Sequence, residues 1–428
     1  MNPRKFLNSL FDVALKKAHP KVCLPPYLDN NKFCGRTLVF GAGKASAAMA
    51  QIVEHELSGK IEGMVVTRYN YAVPCINIEV IEAGHPIPDN NGMLAASKML
   101  KIAYGLQEKD TVLFLISGGG SSLLTLPAEG LSLQDKKEIT SELLNSGATI
   151  HEINIVRKHI SAIKGGRLAL ACYPAKVITL AISDVAGDDL GIIASGPTIE
   201  DPSTFLDAKN ILNKYNISKP KSVLDYIINA RDETPKSGDY RLKNVENILI
   251  ASAKQSLEAS AKFAEEFGIE PLILSDAVQG ESREIGKNHA ILAKKFQKKM
   301  AKNSRPLVIL SGGETFVTVK GNGIGGPNTE YLLSMLIELR KHKGIWAIAC
   351  DTDGIDGFGD NAGAFIGPDS LEISKSIGLN PKKFLNNNDS YNFFLKIQSL
   401  ISPGPTLTNV NDFRAILIFP NGKQKIFD

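Results

Sequence analysis

Short runs of β-branched and other apolar residues alternate with segments of helical periodicity, and this alternation limits the possible fold more than any other feature. In the first half of the chain, the predicted strands are residues 37–40, 64–67, 76–83, 111–116 and 176–183. The predicted helices between them are residues 44–57, 92–104, 132–145 and 149–163. Strands that are connected through helices form parallel pairs, because a parallel pair needs a long crossover connection. We therefore expect a mostly parallel sheet covered by helices on both faces.

A polar stretch at residues 230–244 interrupts this alternation. The alternation then resumes, with strands predicted at residues 247–252, 270–275, 306–311, 316–319, 345–349 and 415–419. A length of 428 residues suits two or three domains. The expected fold class is α/β, with two α/β domains and mostly parallel, helix-covered sheets. We predict a Rossmann-like domain over residues 1–235 and a second α/β domain over residues 240–428.

The first twenty residues and the composition narrow the class of protein further. Phe6, Leu10 and Val13 fall on one face of a predicted amphipathic helix, which we expect to cover the first domain. No apolar run is long enough to span a membrane, and the net charge of +4 is dispersed, which argues against membrane and nucleic-acid partners. Five scattered cysteines without a Cys-x-x-Cys pair predict free thiols in the cytoplasm. A homodimer is left open.

The first glycine-rich turn, GAGKASAAMA, follows a predicted strand and contains Gly41, Gly43 and Lys44. Amides at the start of the next helix are expected to be free for an anion, and Lys44 adds a positive charge. The turn is not a Walker A loop, whose spacing it does not follow. A dinucleotide fingerprint would need glycine at Ser46 and an acidic residue where Arg68 stands, which disfavours NAD. The simpler alternative is that the glycines only permit a tight turn.

A second loop, SGGGSS, follows the strand predicted at residues 111–116 and brings backbone amides close to an anion without a lysine of its own. Farther along, INIVRKHISAIKGGRLA places Arg157, Ser161 and Lys164 on one face of a predicted helix. Guanidinium and ammonium groups beside exposed backbone suit a carboxylate or a phosphate. A solvated basic helix face is the alternative.

Acidic residues follow two later strands, with Asp184 and Asp189 in one cluster and Asp351 and Asp353 in the other. Carboxylates at the carboxyl end of a parallel strand can hold Mg²⁺ or accept a hydroxyl proton. An EF-hand loop is excluded by the spacing of the second cluster. Helix capping and turn formation are the simpler explanation.

A glycine-dense segment at residues 311–333 adds further candidates for nucleotide binding: Gly312, Gly313, Glu314 and Asn328. Anion loops, carboxylates and two basic groups, spread over both halves of the chain, describe phosphoryl transfer better than any single motif does. A serine hydrolase elbow is excluded, because the GGGSS segment lacks the closing glycine.

Eight motifs in this order resemble the glycerate 2-kinase family with a MOFRL-type C-terminal region. They are GAGKASAAMA, GHPIPDNNG, LISGGGSSLLTLP, INIVRKHISAIKGGRLA, ISDVAGDDLGIIASGPTIEDP, LSGGETFVTVKGNGIGGPNTE, DTDGIDGFGDNAGA and GPTLTNVND. The resemblance implies ATP- and Mg²⁺-dependent phosphorylation of D-glycerate at its 2-hydroxyl, which gives 2-phosphoglycerate and ADP. It also implies an active site in the cleft between the two domains.

By motif, the resemblance makes Lys44 the catalytic cation and places Asp189 near the reacting hydroxyl. We expect Arg157 and Lys164 to clamp the carboxylate of glycerate or the transferring phosphate. The expected nucleotide-binding residues are Gly41, Gly43, Ser117, Gly118, Gly119, Gly120, Ser121, Ser122, Gly312, Gly313, Glu314 and Asn328. The expected Mg²⁺ ligands are Asp184, Asp351 and Asp353.

The chain departs from the family pattern at two places. Gly326, Pro327 and Asn328 stand where the family usually reads Gly-Arg-Asn, and Leu407 stands where the second motif usually has glycine. An arginine expected to face the cleft is therefore missing, so the affinity for substrate or its identity could differ. Two alternatives stay open: an NAD(P)H-dependent hydroxypyruvate reductase, against which the missing dinucleotide features argue, and a non-catalytic protein that binds a sugar acid or a nucleotide.

Overall fold

The structure, a computed structural model, describes residues 2–30, 33, 35–229, 232–340 and 342–420. The chain divides into two compact units. The N-unit is Pro20–Ile250, and the C-unit is Met1–His19 together with Ala251–Asp428. One expectation from the sequence, the free thiol of Cys34, lies outside the described residues. Among the described helices, none is long and apolar enough to cross a membrane.

The elements alternate along the described chain much as the sequence predicts. The strands are β1 (Arg36–Ala42), β2 (Lys60–Arg68), β3 (Ile78–Ala83), β4 (Thr111–Ile116), β5 (Lys176–Ile182), β6 (Val245–Ala251), β7 (Glu270–Ser275), β8 (Gly280–Glu281), β9 (Leu307–Gly313), β10 (Thr315–Phe316), β11 (Ile345–Asp351), β12 (Gly363–Ile366), β13 (Leu400–Ile401) and β14 (Asp412–Ile418). The α-helices are α1 (Pro3–Ala18), α2 (Pro20–Cys23), α3 (Ser46–Glu56), α4 (Asn90–Ala103), α5 (Gly120–Leu123), α6 (Leu133–Asn145), α7 (Ile150–His159), α8 (Arg167–Ala171), α9 (Phe205–Lys214), α10 (Lys221–Asn229), α11 (Ala253–Glu266), α12 (Ser282–Lys299), α13 (Pro327–Leu339), α14 (Ser370–Ser376), α15 (Pro381–Asn386) and α16 (Ser390–Lys396).

The N-unit is built on a six-stranded sheet in the order β3-β2-β1-β4-β5-β6. The pairs from β3 through β5 are all parallel, which confirms the predicted parallel sheet. Phe40 of β1 and Phe114 of β4 pack edge to face in the core, beside Met99 of α4. Burial on both faces explains why these strands read as continuous apolar runs rather than as alternating ones.

The C-unit also has a six-stranded sheet, in the order β13-β12-β11-β14-β9-β7. Here the expectation of a mostly parallel sheet is wrong. Only β7 and β9 pair in parallel, whereas β14 runs antiparallel to both β9 and β11, and β12 and β13 continue the antiparallel pattern. The apolar runs alone could not reveal this direction, because a strand buried on both faces has the same composition either way.

The compact units differ from the predicted domains at both ends. The N-terminal helix α1 does form, but Phe6 and Leu10 pack with Leu257 of α11 and Val308 of β9 in the C-unit. The expectation that this helix covers the first domain is therefore wrong. The strand predicted at residues 247–252 is β6, which extends the first sheet rather than opening the second. The boundary between the compact units therefore falls after β6, later than the polar stretch.

Candidate functional site

The loops that follow β1 and β4 are joined by hydrogen bonds at the carboxyl edge of the N-unit sheet. Lys44 N donates to Gly118 O at 2.9 Å, and Ala45 N donates to Ser117 Oγ at 2.9 Å. Gly43 has a φ of 139°, and a Cβ at this position would lie 2.1 Å from Ser117 Oγ. No other residue fits there, so the two glycine-rich loops form one joined structure.

The backbone amides of the first glycine-rich turn all donate hydrogen bonds within the protein. Gly43 N donates to Val66 O at 3.0 Å, and Ser46 N donates to Gly43 O at 3.1 Å. Together with the bonds of Lys44 and Ala45, these contacts use every amide from Gly43 to Ser46. The amides of the turn itself are therefore not available to an anion. The turn instead positions the half-buried Lys44 side chain, whose Cγ would lie 3.5 Å from a Cβ built on Gly119.

Within the second loop, the residues divide between structural and exposed roles. Ser117 is fully buried, and a Cβ on Gly120 would lie 2.8 Å from Ala194 Cβ, so both residues serve packing. Gly119 has a φ of 83°, and neither its amide nor that of Ser121 donates to an acceptor within the described chain. Both of these residues line a cavity, so their amides suit an anion there.

This cavity has a volume of about 580 Å³, and we call it the basic cavity. It lies within the N-unit, between the second glycine-rich loop, the segment from His85 to Pro88 and the helices α6 and α7. Its polar and charged lining residues are His85, Ser121, Ser122, Thr125, Lys136, Lys137, Thr140, Ser141, Arg157 and Lys164. Four lysine or arginine side chains thus line it, and no carboxylate does. The charge of the lining predicts an anionic ligand.

Three of the cations lie close enough to perturb one another. Burial, with Arg157 adding, lowers the pKa of Lys136 to about 7. Burial, with the charges of Lys136 and Arg157 adding, lowers the pKa of Lys164 well below its usual value. Lys164 Nζ donates to Ala194 O at 3.0 Å, whereas Lys136 Nζ has no hydrogen-bond partner among the described residues. A ligand with negative charge would relieve this repulsion and supply the missing acceptor.

Arg157 and Lys164 were predicted to share one helix face, but the structure does not have this helix face. Helix α7 ends at His159, so Ser161 and Lys164 lie in the turns that follow and not on its face. Both Arg157 and Lys164 nevertheless line the basic cavity. The turns after α7 bring Lys164 back to the cavity. Helical spacing could not predict this path of the chain.

Lys136 was missed by the sequence argument, although a signal was present. The buried residues of α6 are Lys136, Ile139 and Leu143. These positions are three and seven residues apart, which is the spacing of one helix face. A lysine in the apolar stripe of an amphipathic helix must either reach solvent or enter a polar cavity, and here it is 6% exposed and enters the basic cavity.

The acidic residues of the N-unit do not line the basic cavity. Asp189 is exposed and lines a separate cavity of about 300 Å³, together with Lys158 and Asp201. Its Oδ1 accepts from Gly191 N at 2.8 Å. Asp184 is half-buried just after β5. The structure therefore brings Arg157 and Lys164 together but leaves Asp189 in a neighbouring cavity.

In the C-unit, most of the predicted nucleotide residues serve packing. Gly313 has a φ of 118°, and a Cβ there would lie 2.3 Å from Val278 N. Asn328 is fully buried, and its Nδ2 donates to Asp412 Oδ1 at 2.6 Å. Glu314, by contrast, is exposed. Gly312 and Gly313 thus permit a close backbone approach, and Asn328 links α13 to β14.

Asp356 holds the first turn of α13, the element that begins with Pro327. Its carboxylate accepts from Asn328 N at 2.8 Å and from both N (2.8 Å) and Oγ1 (2.7 Å) of Thr329. Burial raises the pKa of this carboxyl to about 6. The helix start is therefore capped from within the protein by a carboxylate that is distant along the chain.

Asp351 and Asp353 lie in one tight loop after β11. Asp351 Oδ1 accepts from Asp353 N at 2.9 Å, and Asp353 Oδ1 accepts from Ile355 N at 2.9 Å. Asp351 is half-buried and Asp353 is 3% exposed. Over the ranges that the structure describes, no group of three or more histidine, cysteine or acidic side chains is arranged to hold a metal. A site with one or two carboxylates is what this loop could provide.

The parallel sheet, the joined glycine loops at its carboxyl edge and the basic cavity define an α/β protein with a cavity whose charge suits an anionic ligand. Residues 6–228 match the model of a domain of unknown function, DUF4147, and residues 307–412 match the MOFRL family. A D-glycerate 2-kinase of Thermotoga maritima is 42% identical over 96% of this chain and 95% of its own length. A glycerate 2-kinase of Pyrococcus horikoshii is 42% identical over 88% of this chain and 86% of its own length.

Two further comparisons extend across nearly the whole chain. The crystal structure of a glycerate kinase from Thermotoga maritima superposes with a TM-score of 0.87 at 40% identity, covering 97% of this chain and 99% of that one. A protein of Agrobacterium vitis with the provisional name of hydroxypyruvate reductase is 48% identical over 98% of this chain and 95% of its own length. The chain belongs to the glycerate 2-kinase family with a MOFRL region, which confirms the resemblance seen in its motifs.

Proposed function

We propose that this protein transfers the terminal phosphoryl group of ATP to the 2-hydroxyl of D-glycerate, giving 2-phosphoglycerate and ADP. The observation that carries the proposal is the basic cavity beside the joined glycine loops, in a chain 42% identical to a D-glycerate 2-kinase. Both substrates are anions, and the cavity is lined by cations without a carboxylate. The four described cysteines, Cys23, Cys75, Cys172 and Cys350, form no disulfide with one another, which suits the cytoplasmic location that we propose.

In this proposal the protein acts by positioning and by charge stabilisation. Lys44, held beside Gly119 by the joined loops, neutralises charge that develops on the transferring phosphoryl group. Arg157 and Lys164 bind the carboxylate of glycerate or the transferring phosphate. The family motif assigns Asp189 to accept the proton of the reacting hydroxyl as the new O–P bond forms and the bond to ADP breaks, although Asp189 lines a separate cavity from Arg157 and Lys164. The roles of Lys44, Arg157 and Lys164 are assigned from the family motifs together with the positions described above.

We propose that Gly118, Gly119, Ser121 and Ser122 contact phosphate oxygens and that Gly312 and Glu314 belong to the nucleotide region. The remaining candidates act through the backbone, because Gly41, Gly43, Ser117, Gly120, Gly313 and Asn328 are buried in contacts with neighbouring residues.

The carboxylates at the ends of β5 and β11 could supply one or two ligands to a Mg²⁺ ion. Mg²⁺ usually keeps several waters and binds through few carboxylates. Asp351 is half-buried, as is Asp184, so each can reach an ion that stays hydrated, whereas the buried Asp353 would orient the loop. The ion would neutralise charge on the nucleotide phosphates.

A reductase is the second candidate, because of the provisional name of the Agrobacterium vitis relative. The residue at the third fingerprint position, Ser46, is fully buried, and its Oγ donates to Gly43 O and to Val66 O at 2.8 Å each. The guanidinium of Arg68 lies over the ring of Tyr71 at 5.4 Å. Neither feature resembles a dinucleotide site, in which glycine permits close approach and an acidic residue binds the ribose.

One assay separates the kinase from the reductase and from a non-catalytic binding protein. Purified protein is given ATP, Mg²⁺ and D-glycerate, with enolase as the only coupling enzyme, because enolase accepts 2-phosphoglycerate and not the 3-isomer. We expect the formation of phosphoenolpyruvate to depend on all three additions. No signal would reject the 2-kinase, and oxidation of NADPH with hydroxypyruvate would support the reductase. Failure of both reactions would leave the binding protein.

A further inference from the structure

Lys136 adds a third cation to the pair that the proposed mechanism uses. It is 6% exposed, and its Nζ is among the buried polar atoms without a hydrogen-bond partner in the described parts of the chain. Helix α6 packs against α7 and α10. Of the charged and titratable side chains on these three helices, only Lys136, Lys137 and Arg157 line the basic cavity. The other titratable groups that line it are His85 and Lys164.

A buried ammonium group is normally paired with a carboxylate, because removing its hydration without a partner is costly. The charged residues that line the basic cavity are all basic, so the lining itself cannot provide that partner. Of the neutral hydroxyls in the lining, Ser121 Oγ is hydrogen-bonded to Ser195 Oγ at 3.0 Å, and Ser122 Oγ donates to Gly119 O at 3.1 Å. A ligand oxygen would supply the acceptor that the unpaired ammonium of Lys136 lacks.

We propose that the basic cavity is an oxyanion subsite for a carboxylate or phosphate group, and that Lys136 is its third cationic contact beside Arg157 and Lys164. The subsite stands on the geometry of the cavity. Only the identity of the molecule that carries the oxyanion rests on the proposed kinase function.

A consequence of this arrangement is that the binding of an anion is coupled to protonation of the Lys136 amine. The pKa of Lys136 is lowered to about 7 by burial and by Arg157, so at pH 8 the side chain is largely neutral while the cavity is empty. An oxyanion in contact with the amine favours its charged form and raises the pKa again. Binding at pH 8 should therefore take up a proton from solvent, whereas at pH 6 Lys136 is already charged and should take up none.

The test is titration calorimetry on the full-length protein without nucleotide, with inorganic phosphate and D-glycerate as separate probes. Each titration is run at pH 8 in two buffers with different ionisation enthalpies, so that the difference in heat reports the protons taken up. We expect at least one of the two anions to bind with proton uptake. Lys136→Met should weaken that binding at least tenfold and reduce the uptake.

Lys101→Met in α4 is the matched control, because it removes the same charge from an exposed position that does not line the basic cavity. It should weaken binding less than threefold. Thermal unfolding of both variants shows whether they are folded. Equal weakening in the two variants, binding without proton uptake, or no binding of either anion to the unmodified protein would overturn the proposal.

The two probes also identify the part of the reaction that the subsite serves. Binding of phosphate alone assigns the subsite to the transferring phosphoryl group, and binding of D-glycerate alone assigns it to the substrate carboxylate. The enolase assay is independent of both titrations. If the enolase assay gives no signal but anions still bind, the kinase function is rejected and the subsite stands. If the enzyme is active but Lys136→Met binds the anions as the unmodified protein does, only the role of Lys136 in the subsite is rejected.

Discussion

At the scale of single residues, Lys44 and Lys136 reach their sites in different ways. Lys44 is positioned by its own backbone, because its N donates to Gly118 O and the adjacent Gly43 N donates to Val66 O. Lys136 is positioned by the apolar face of α6, on which it replaces a hydrophobic residue. The first arrangement has a glycine motif that can be read in the sequence. The second shows only in the spacing of Lys136 with Ile139 and Leu143, which is a weaker signal because a lysine in an amphipathic helix is usually at the surface.

Lys44→Ala should lower turnover at least a hundredfold while the protein stays folded. The backbone bond from residue 44 to Gly118 does not need the side chain, so the joined loops should persist. Removing one positioned donor to transition-state charge typically costs about 10² to 10³ in turnover. The measurement is the enolase-coupled rate at saturating substrates, with Lys101→Ala on the exposed face of α4 as the control. Near-normal turnover in the first variant would remove Lys44 from the mechanism.

Lys136→Met should stabilise the protein, and the gain should depend on pH. Folding lowers the pKa of this lysine from 10.5 to about 7, so the folded state holds its proton less tightly than the unfolded state. The resulting cost is complete below about pH 7, shrinks as the pH rises and disappears above the unfolded pKa. We expect a gain on the order of 3 kcal/mol at pH 6 and a smaller gain at pH 9. Urea unfolding at both pH values measures it, and a variant less stable at pH 6 would contradict the burial of an unpaired charge.

At the scale of elements, the helices differ in which residues accept hydrogen bonds from the backbone amides of their first turns. Helices α6, α7 and α9 begin with capping boxes that combine Ser132 with Asp135, Thr149 with Glu152 and Thr204 with Asp207. These caps are local in sequence, so their helix starts could be predicted. Helix α13 is capped by Asp356, which is far from Pro327 along the chain. No local pattern shows such a cap.

Asp356→Ala should therefore destabilise the protein more than the loss of a local cap does. The change removes three hydrogen bonds to buried donors of Asn328 and Thr329, and two of these donors are backbone amides. We expect a loss of about 2 to 4 kcal/mol in the free energy of unfolding. Ser132→Ala at the start of α6 is the comparison and should cost about 1 kcal/mol. Equal losses in urea unfolding would mean that the remote carboxylate adds nothing beyond an ordinary cap.

At the scale of the whole molecule, the chain begins in one compact unit, forms the other and then returns. Helix α1 belongs to the C-unit, where Phe6 packs against the rings of Phe263 and Phe267. Phe6 and Leu10 of the predicted apolar face are buried, whereas Val13 is only half-buried, and the predicted partner of this face was wrong. Hydrophobic periodicity shows that a face is buried and carries no information about which sheet buries it.

Leu10→Ala should destabilise the C-unit more than the N-unit. Leu10 is fully buried with residues of β9 and β14, and a truncation of this kind costs about 2 to 5 kcal/mol. We expect faster amide hydrogen exchange in β9 and β14, with little change in β4 and β5. The matched variant is Leu113→Ala in β4, also fully buried, which should give the reverse pattern. Equal acceleration in all four strands would show that the two units unfold together.

Sequence patterns were enough to predict the α/β class, most strand positions in the N-unit, and Arg157 and Lys164, which line one cavity. These features rest on local patterns: apolar runs, helical periodicity and glycine turns. Only the tertiary structure decided the antiparallel pairing in the C-unit, the attachment of α1 and the convergence of Lys136 on Arg157 and Lys164. Each of these depends on contacts between residues that are distant along the chain. Local patterns show that a face is buried, but they do not identify its partner.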